Sequence, residues 1–199
     1  LGLHNKYLKD EDINALCELD STAKVGEDPI KYLDLDDEVI DFELTSNRGD
    51  LLSIIGMSYE LGAIYDKKVK DIDLSHSKGT GNISDELKLS VDTPYCSLFL
   101  ARKVKDVTIK ESPNFIKNRL IASDIRPINN VVDISNYVML ETGQPLHYYD
   151  ADRLGNLLGV RLAASNEELT TLDNQKRTLT TSDIVIYNNT GAIGLAGIM

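Results

Sequence analysis

Apolar residues recur at helical spacing in several segments of this 199-residue chain. Between Leu51 and Tyr65 they follow one stripe at intervals of three and four, and Ser46 or Asn47 could cap the helix that this stripe predicts. Ser112-Pro113 is typical of a helix start, with a cap followed by proline at the first helical position. We predict helices over residues 13–19, 46–65, 112 to about 124, and 130–141, the last ending at Gly143.

Alternating or continuous apolar residues predict strands between these helices and after them. Asp173-Asn174 indicates the turn of a hairpin, and Gly194 and Gly197 indicate places where a ligand or another backbone approaches closely. Helices interspersed with strands in this order favour an α+β fold. The predicted strands cover residues 39–44, 87–91, 98–107, 158–162, 169–172, 177–180, 184–187 and 192–199.

One stretch, SHSKGTGNISD over residues 75–85, has almost no large apolar residue and is rich in glycine and serine. We interpret it as a linker between a small N-terminal helical region, residues 1–75, and a mixed α/β domain, residues 76–199. Gly56 and Gly62 lower the helix propensity of the first region, so we expect the helix there to pack closely against another element.

Composition narrows the class of protein. Apolar residues make up 42% of the chain and charged residues 27%, as in soluble globular proteins, and no apolar run is long enough for a membrane span. No secretory signal begins the chain, and Cys17 and Cys96 form no CxxC motif, so we expect a cytoplasmic protein with free thiols. The net charge of −11 excludes a broad basic surface for duplex nucleic acid, but it allows a pocket that receives one end of an RNA.

Common catalytic and metal-binding motifs are absent from the sequence. His4, His76 and His147 have no zinc-ligand spacing, and the acidic run at 34–38 departs from a calcium loop because valine stands where a glycine is needed. No phosphate-binding glycine loop and no GxSxG nucleophile motif occurs. We therefore predict no metal site.

The remaining candidate for chemistry is IRPINNVVDISNYVMLETGQPLHYYD, residues 125–150. Asn129, Asp133 and Asn136 fall on one stripe of the predicted helix, and a Gly-Gln-Pro turn carries His147 back toward it. Convergent polar groups beside apolar walls are typical of a small-ligand pocket. The alternative is structural: Asn129 only caps the helix, Asp133 lies on a solvated face, and the histidine has no functional role.

Two further motifs give these residues a context. The run LDLDDEVIDFELTSNRGDLLSIIGMSYELG, residues 33–62, precedes the candidate stretch, and GLAGIM, residues 194–199, follows it. Together, in this order, the three motifs closely resemble the β subunits of bacterial phenylalanyl-tRNA synthetases. The resemblance covers essentially the whole chain.

This resemblance implies a fold and an activity. Residues 1–75 would be the helical region that follows the tRNA-binding OB domain, and residues 76–199 would be a sandwich-like editing domain, incomplete at its C-terminal end. The domain would hydrolyse Tyr-tRNA(Phe) and contact the 3′ end of tRNA(Phe), with no membrane involved. The whole enzyme would be a cytoplasmic α2β2 heterotetramer that uses ATP and Mg²⁺ at its α subunit, with no cofactor in this part.

The same resemblance implies roles for five residues. His147 and Asn136 would be catalytic, the histidine orienting water or the terminal ribose and the asparagine holding the substrate. Ser135 would bind substrate beside them, and Ala196 and Gly197 would line the space for the amino acid. The family's pocket glutamate would lie beyond Met199.

Three functions stay open from the sequence alone. The first is an editing module within the synthetase, and the second is a non-catalytic scaffold that positions tRNA and in which the polar stripe is structural. The third is a free-standing aminoacyl-tRNA deacylase, which the helical region at 33–62 disfavours because such an enzyme would have little use for it.

Overall fold

The computed structural model describes residues 19, 21–76, 79 and 81–197. The helix predicted over 13–19 lies outside this part except for its last residue. Contacts between Cα atoms divide the chain into two compact units. The first contains the described residues up to Asp73 together with Thr108–Tyr148, and the second contains Leu74–Val107 with the described residues from Tyr149 onward. The predicted domains 1–75 and 76–199 stay a prediction.

The first unit is helical. A short helix after Asp28 and a 3-10 turn precede three longer helices. In chain order the elements are α1, Pro29–Tyr32; the 3-10 turn, Gly49–Leu51; α2, Ile54–Tyr65; α3, Asn114–Ala122; and α4, Asn130–Thr142.

Helix α2 begins later than its sequence predicts. The expected cap at Ser46 or Asn47 is wrong, because the hydroxyl of Ser53 accepts the Gly56 N–H at 3.0 Å and caps the helix instead. The residues before it form the separate 3-10 turn, which an arginine holds in place. Arg48 pairs with Asp50 at 2.9 Å and with Glu60 on α2 at 2.7 Å, so the turn folds back onto the helix.

The two glycines of α2 confirm the prediction of close packing. A Cβ atom on Gly56 would lie 1.8 Å from the carbonyl oxygen of Asp50 in the 3-10 turn. A Cβ on Gly62 would lie 2.8 Å from the carbonyl oxygen of Lys67, in the chain that leaves the helix. Both positions therefore require the absence of a side chain.

Helix α3 also differs from its prediction at the start. Pro113, rather than Ser112, occupies the N-cap position, and no side chain caps the helix. The Ser112 hydroxyl bonds to a side chain of α4 instead. Ile116 and Leu120 are buried as the apolar face predicts, and the helix ends at Ala122, before the predicted break.

The second unit is built on a mixed four-stranded sheet with the strand order β1-β2-β5-β6. Strands β1 and β2 are parallel, whereas β5 runs antiparallel to both of its neighbours. A separate antiparallel hairpin, β3–β4, turns at the predicted Asp173-Asn174. The elements are β1, Lys88–Asp92; α5, Ala151–Leu154; β2, Leu157–Leu162; β3, Glu168–Thr170; β4, Lys176–Thr178; β5, Ile184–Asn188; and β6, Gly191–Leu195.

The core of the second unit lies between the sheet and the hairpin. Val185 on β5 is completely buried and packs with a small cluster of other apolar side chains. These are Ala163, Leu169 and Leu179, with Ala192 and Leu195 at the edge. Leu158 and Val160 on β2 are buried as well.

Two predicted strands are wrong. Residues 39–44 and 98–107 form no ladder in the described part of the chain, and Ile40 and Leu100 are 72% and 79% exposed. Strand propensity yields a strand only where another backbone is available for pairing. Side chains hold the second segment instead, since Lys103 and Lys105 each bond to Glu86 at 2.6 Å. The α+β class itself is confirmed.

Candidate functional site

Helix α4 carries most of the residues that the sequence selects, and its two ends are well defined. The side-chain oxygen of Asn129 accepts the N–H groups of Val131 and Val132, each at 3.1 Å, so this residue is the N-cap. At the other end, Gly143 adopts φ 78° and donates its N–H to the carbonyl of Met139 at 2.8 Å. Asn129 therefore caps the helix, as the structural alternative in the sequence analysis predicts.

Asp133 is buried, so the structural alternative that places it on a solvated face is wrong. Its carboxylate is 1% exposed and accepts the Ser112 hydroxyl at 2.5 Å and the Ile128 N–H at 2.7 Å. The first bond joins α4 to the residue before the N-cap of α3, and the second fixes the chain just before the N-cap of α4. Asp133 is therefore a structural clamp with both carboxylate oxygens occupied.

Asn136 and Ser135 lie one residue apart on α4 but differ in their bonding. The Ser135 hydroxyl donates to the carbonyl of Leu146 at 3.0 Å. Asn136 is partly buried, and its side-chain amide makes no hydrogen bond to the described residues. Of the three polar residues on the predicted stripe, Asn136 is thus the one whose side chain makes no hydrogen bond to the described residues.

His147 follows the turn after α4 and is exposed. The bond from Ser135 reaches the peptide unit that joins Leu146 to His147, so the chain folds back along α4 as predicted. The histidine backbone is thereby held beside the middle of the helix. Ser135, Asn136 and His147 all belong to the first unit.

Ala196 and Gly197 belong to the second unit. The strand predicted over 192–199 ends earlier, because β6 stops at Leu195 and these two residues form a turn; residues 198–199 lie outside the described part. The Ala196 N–H donates to the carbonyl of Ile184 at 2.9 Å, and Gly197 is exposed with φ 76°. Their predicted convergence with the residues of α4 stays a prediction.

A polar chain across the sheet of the second unit was missed by the sequence reasoning. Tyr187 on β5 lies over Gly159 on β2, and its hydroxyl donates to Asp92 on β1 at 2.5 Å. This bond, with one from Ser90, lowers the pKa of the Asp92 carboxyl. The sequence signal was a glycine inside an apolar strand, which indicates a close approach.

Arg161 and Glu167 form a bidentate ion pair beside Tyr187, with N···O distances of 2.8 and 2.7 Å. The guanidinium carbon lies 5.1 Å from the centre of the Tyr187 ring, within cation–π range. The bonds from Arg161 hold the pKa of Glu167 at about 2, against an opposing effect of burial. These contacts occupy both carboxylate oxygens of Glu167, so we interpret the pair as stabilising the sheet.

Two hollows lie in the first unit. An open groove of about 600 Å³ runs along α2 and the lysine-rich chain that follows, lined by Leu61, Gly62, Tyr65 and residues 67–70 together with Ser58. A smaller pocket of about 270 Å³ lies beside α4, lined by Ile54, Arg119, Ser123, Tyr137, Leu140 and Glu141. None of the five predicted site residues lines either hollow.

The part of the chain that the structure describes offers neither a cluster of metal ligands nor a membrane-spanning helix. No group of three or more histidine, cysteine, aspartate or glutamate side chains is placed to hold a metal ion there. None of the helices in that part has the length and apolar character needed to cross a membrane.

Comparison with known proteins identifies the class. Residues 95–199 match the family model of the B3/4 domain. This match covers more than half of the chain. The chain belongs to the B3/4 domain family.

Relatives match over the full chain, which confirms the resemblance seen in the sequence. This chain is 44% identical to the phenylalanine–tRNA ligase beta subunit of Staphylococcus aureus, and 42% identical to the proteins of that name from Bacillus cereus and Bacillus thuringiensis. Each alignment covers 100% of this chain and 25% of the relative. The chain thus spans about a quarter of the length of the curated relatives it matches.

Proposed function

We propose that this chain is the part of a phenylalanine–tRNA ligase beta subunit that hydrolyses Tyr-tRNA(Phe). The observation that carries the proposal is the identity of 42–44% to such subunits over the entire chain, which includes all three sequence motifs. The hydrogen bond from Ser135 to the Leu146 carbonyl supports the proposal further. It holds the peptide that leads into His147 beside Ser135, the neighbour of Asn136.

A second pocket is chemically necessary for a ligase that must reject tyrosine. An apolar pocket for phenylalanine cannot strongly exclude a side chain that only adds a hydroxyl, and discrimination of this kind is limited to roughly 10²-fold. A separate pocket that hydrogen-bonds the phenol reverses the preference, because phenylalanine would leave buried polar groups without partners.

The proposed reaction is the hydrolysis of an activated ester. Water attacks the carbonyl carbon that joins tyrosine to the terminal ribose, the bond to the ribose oxygen breaks, and that oxygen leaves as a hydroxyl. Free tyrosine and tRNA(Phe) are the products. Such a reaction depends more on orientation and on stabilising the developing oxyanion than on a strong base.

The residues of this chain would divide that work. His147 would orient the water or the terminal ribose, and the free amide of Asn136 would hold the substrate. Ala196 and Gly197 would leave room for the ring, and their turn would offer backbone groups to the ester. Neither His147 nor Asn136 is proposed as a nucleophile.

The rest of the enzyme is also proposed. We expect an α subunit to attach phenylalanine to tRNA(Phe) with ATP and Mg²⁺, in a cytoplasmic α2β2 assembly, and none of the steps proposed for this chain uses either cofactor. The acidic net charge of −11 fits a domain that receives only the 3′ end of a tRNA held elsewhere.

Deacylation by the assembled ligase tests the proposal. His147→Ala and Asn136→Ala should each slow the release of tyrosine from Tyr-tRNA(Phe) by about 10- to 100-fold, because each removes a group that orients the reactants. Attachment of phenylalanine should stay within twofold of the parent enzyme. His76→Ala is the matched control, since this histidine is exposed and its ring bonds only to the nearby carbonyl of Leu74.

A scaffold that positions tRNA without catalysis is the second candidate. It is favoured by the purely structural roles of Asn129 and Asp133, two of the three polar residues on the predicted stripe. Unchanged deacylation in both test variants would support the scaffold and reject the editing proposal. Equal loss of both activities would indicate damaged folding, and the far-UV spectrum and melting temperature of each variant would expose it.

A further inference from the structure

The Ser135 hydroxyl has one proton, and the structure commits it to the backbone. Oγ donates to the Leu146 carbonyl at 3.0 Å, eleven residues further along the chain. That carbonyl belongs to the peptide bond that leads into His147. A hydroxyl can still accept through its lone pairs, but its donor is used.

Few other hydrogen bonds hold residues 146–148 in place. Leu146 and Tyr148 are 40% and 49% exposed, and His147 is also exposed. The other hydrogen bonds described near it are local to the turn: the Gln144 N–H donates to the Thr142 hydroxyl, and the Gln144 side chain donates to the Pro145 carbonyl. Ser135 therefore supplies the bond that ties the segment to the body of α4.

We propose that Ser135 is a positioning residue of the editing site, whose hydroxyl fixes the backbone at His147 and which does not contact the substrate. The inference rests on the function proposed above and replaces the substrate-binding role that the family resemblance implies for Ser135. The neighbouring Asn136, whose amide makes no bond to the described residues, keeps that role.

The bond itself is tested first, without any activity measurement. In the 199-residue chain labelled with ¹⁵N, Ser135→Ala should lower the backbone order parameter of His147 from the range of rigid backbone, about 0.85, toward values below about 0.6. Ser135→Thr keeps the hydroxyl and should preserve the order. Ser58→Ala is the matched control, because the Ser58 hydroxyl also donates to a backbone carbonyl, that of Ile54 on its own helix.

A double-mutant cycle in the assembled ligase then tests the positioning role. Ser135→Ala should reduce kcat for deacylation of Tyr-tRNA(Phe) about fivefold, the factor expected from one ordinary hydrogen bond, with KM unchanged. Ser135→Thr should restore the rate. In a His147→Ala background, Ser135→Ala should cause no further loss, because the two residues act as one unit.

Each contrary result has a separate meaning. An unchanged order parameter in Ser135→Ala overturns the inference whatever the enzyme does. Losses that multiply in the cycle show that Ser135 acts independently of His147, and a raised KM shows that Ser135 contacts substrate; either result also overturns the inference. If His147→Ala and Asn136→Ala both leave deacylation unchanged, the proposed function fails, whereas the order parameter still reports whether Ser135 holds residues 146–148.

Discussion

The two units of this chain are stabilised in different ways. In the first, helices meet through side chains that bond to backbone or to other side chains, while few apolar residues are buried. In the second, strands pair through their backbones around a continuous apolar cluster. Among the described residues, the buried apolar side chains of the first unit are Leu51, Ile116 and Leu120, and those of the second are Leu158, Val160, Ala163, Leu169, Leu179 and Val185.

This difference suits the proposed roles of the two units. Polar bonds such as those of Asn129, Asp133 and Ser135 have defined directions, so they fix the backbone on which the candidate residues lie. The apolar cluster of the second unit is not directional and instead supports a sheet whose last turn carries Ala196 and Gly197. We therefore expect that removing buried polar groups lowers the stability of the first unit more than that of the second.

Removal of the buried carboxylate at Asp133 should have the largest effect. Asp133→Ala leaves the buried Ser112 hydroxyl and the Ile128 N–H without their acceptor, so we expect a loss of about 3 kcal/mol in the free energy of unfolding. Asp133→Asn keeps one acceptor oxygen and should cost about half as much.

Urea unfolding followed by circular dichroism at 222 nm measures this loss, because α2, α3 and α4 all lie in the first unit. Asp36→Ala, an exposed aspartate of the same unit, is the control. A loss below 1 kcal/mol for Asp133→Ala would show that the apolar contacts alone hold these helices together.

In the second unit, Glu167 should contribute to the pH dependence of stability. Its pKa is about 2 in the folded chain because Arg161 bonds to it, whereas the ordinary value is near 4.5. A lowered folded-state pKa contributes stability that is fully present above pH 4.5 and is lost as the pH falls toward 2. After allowance for partial solvent screening, we expect this pair to account for a loss of about 2 kcal/mol across that range.

Urea titrations at pH 5.5 and pH 2.5, followed through the methyl signals of the buried Val185, measure this dependence. In Glu167→Gln the part of the pH-dependent stability that is due to this carboxyl should disappear. The pH dependence that remains reflects other acids with lowered pKa values, such as Asp92 and Asp173. If the free energy of unfolding falls by the same amount between pH 5.5 and pH 2.5 in the parent chain and the variant, the ion pair does not stabilise the sheet.

Helix positions followed from the sequence more reliably than strand positions. The end of α4 at Gly143 and the break after α3 depend on local backbone chemistry, which the sequence shows directly. A strand requires a partner that is distant in the chain, so the patterns at 39–44 and 98–107 could not reveal that no ladder forms there.

The candidate site shows the same limit at the level of single residues. Spacing placed Asn129, Asp133 and Asn136 on one stripe, but it could not show that the first caps the helix and that the second bonds to Ser112, just before α3. The Ser135 bond also depends on how a turn folds back over eleven residues. Spacing identifies which residues share a face, and only three-dimensional contacts show which of them have a free polar group.

The smallest expected effect concerns Gly159, where an added side chain would meet the Tyr187 ring. A Cβ there would lie 2.4 Å from the Tyr187 ring, so Gly159→Ala must displace the ring and break its bond to Asp92. Alanine is somewhat better than glycine within a strand, which offsets part of the damage, and we expect a net loss of about 1 kcal/mol by urea unfolding.

The sign of the effect should reverse when the ring is absent. In a Tyr187→Ala background, Gly159→Ala has no ring to displace and should be neutral or stabilising by a few tenths of a kcal/mol. The same loss in both backgrounds would show that Gly159 serves the backbone and not the tyrosine. The polar chain from Tyr187 to Asp92 would then be incidental, and apolar packing alone would explain the stability of the second unit.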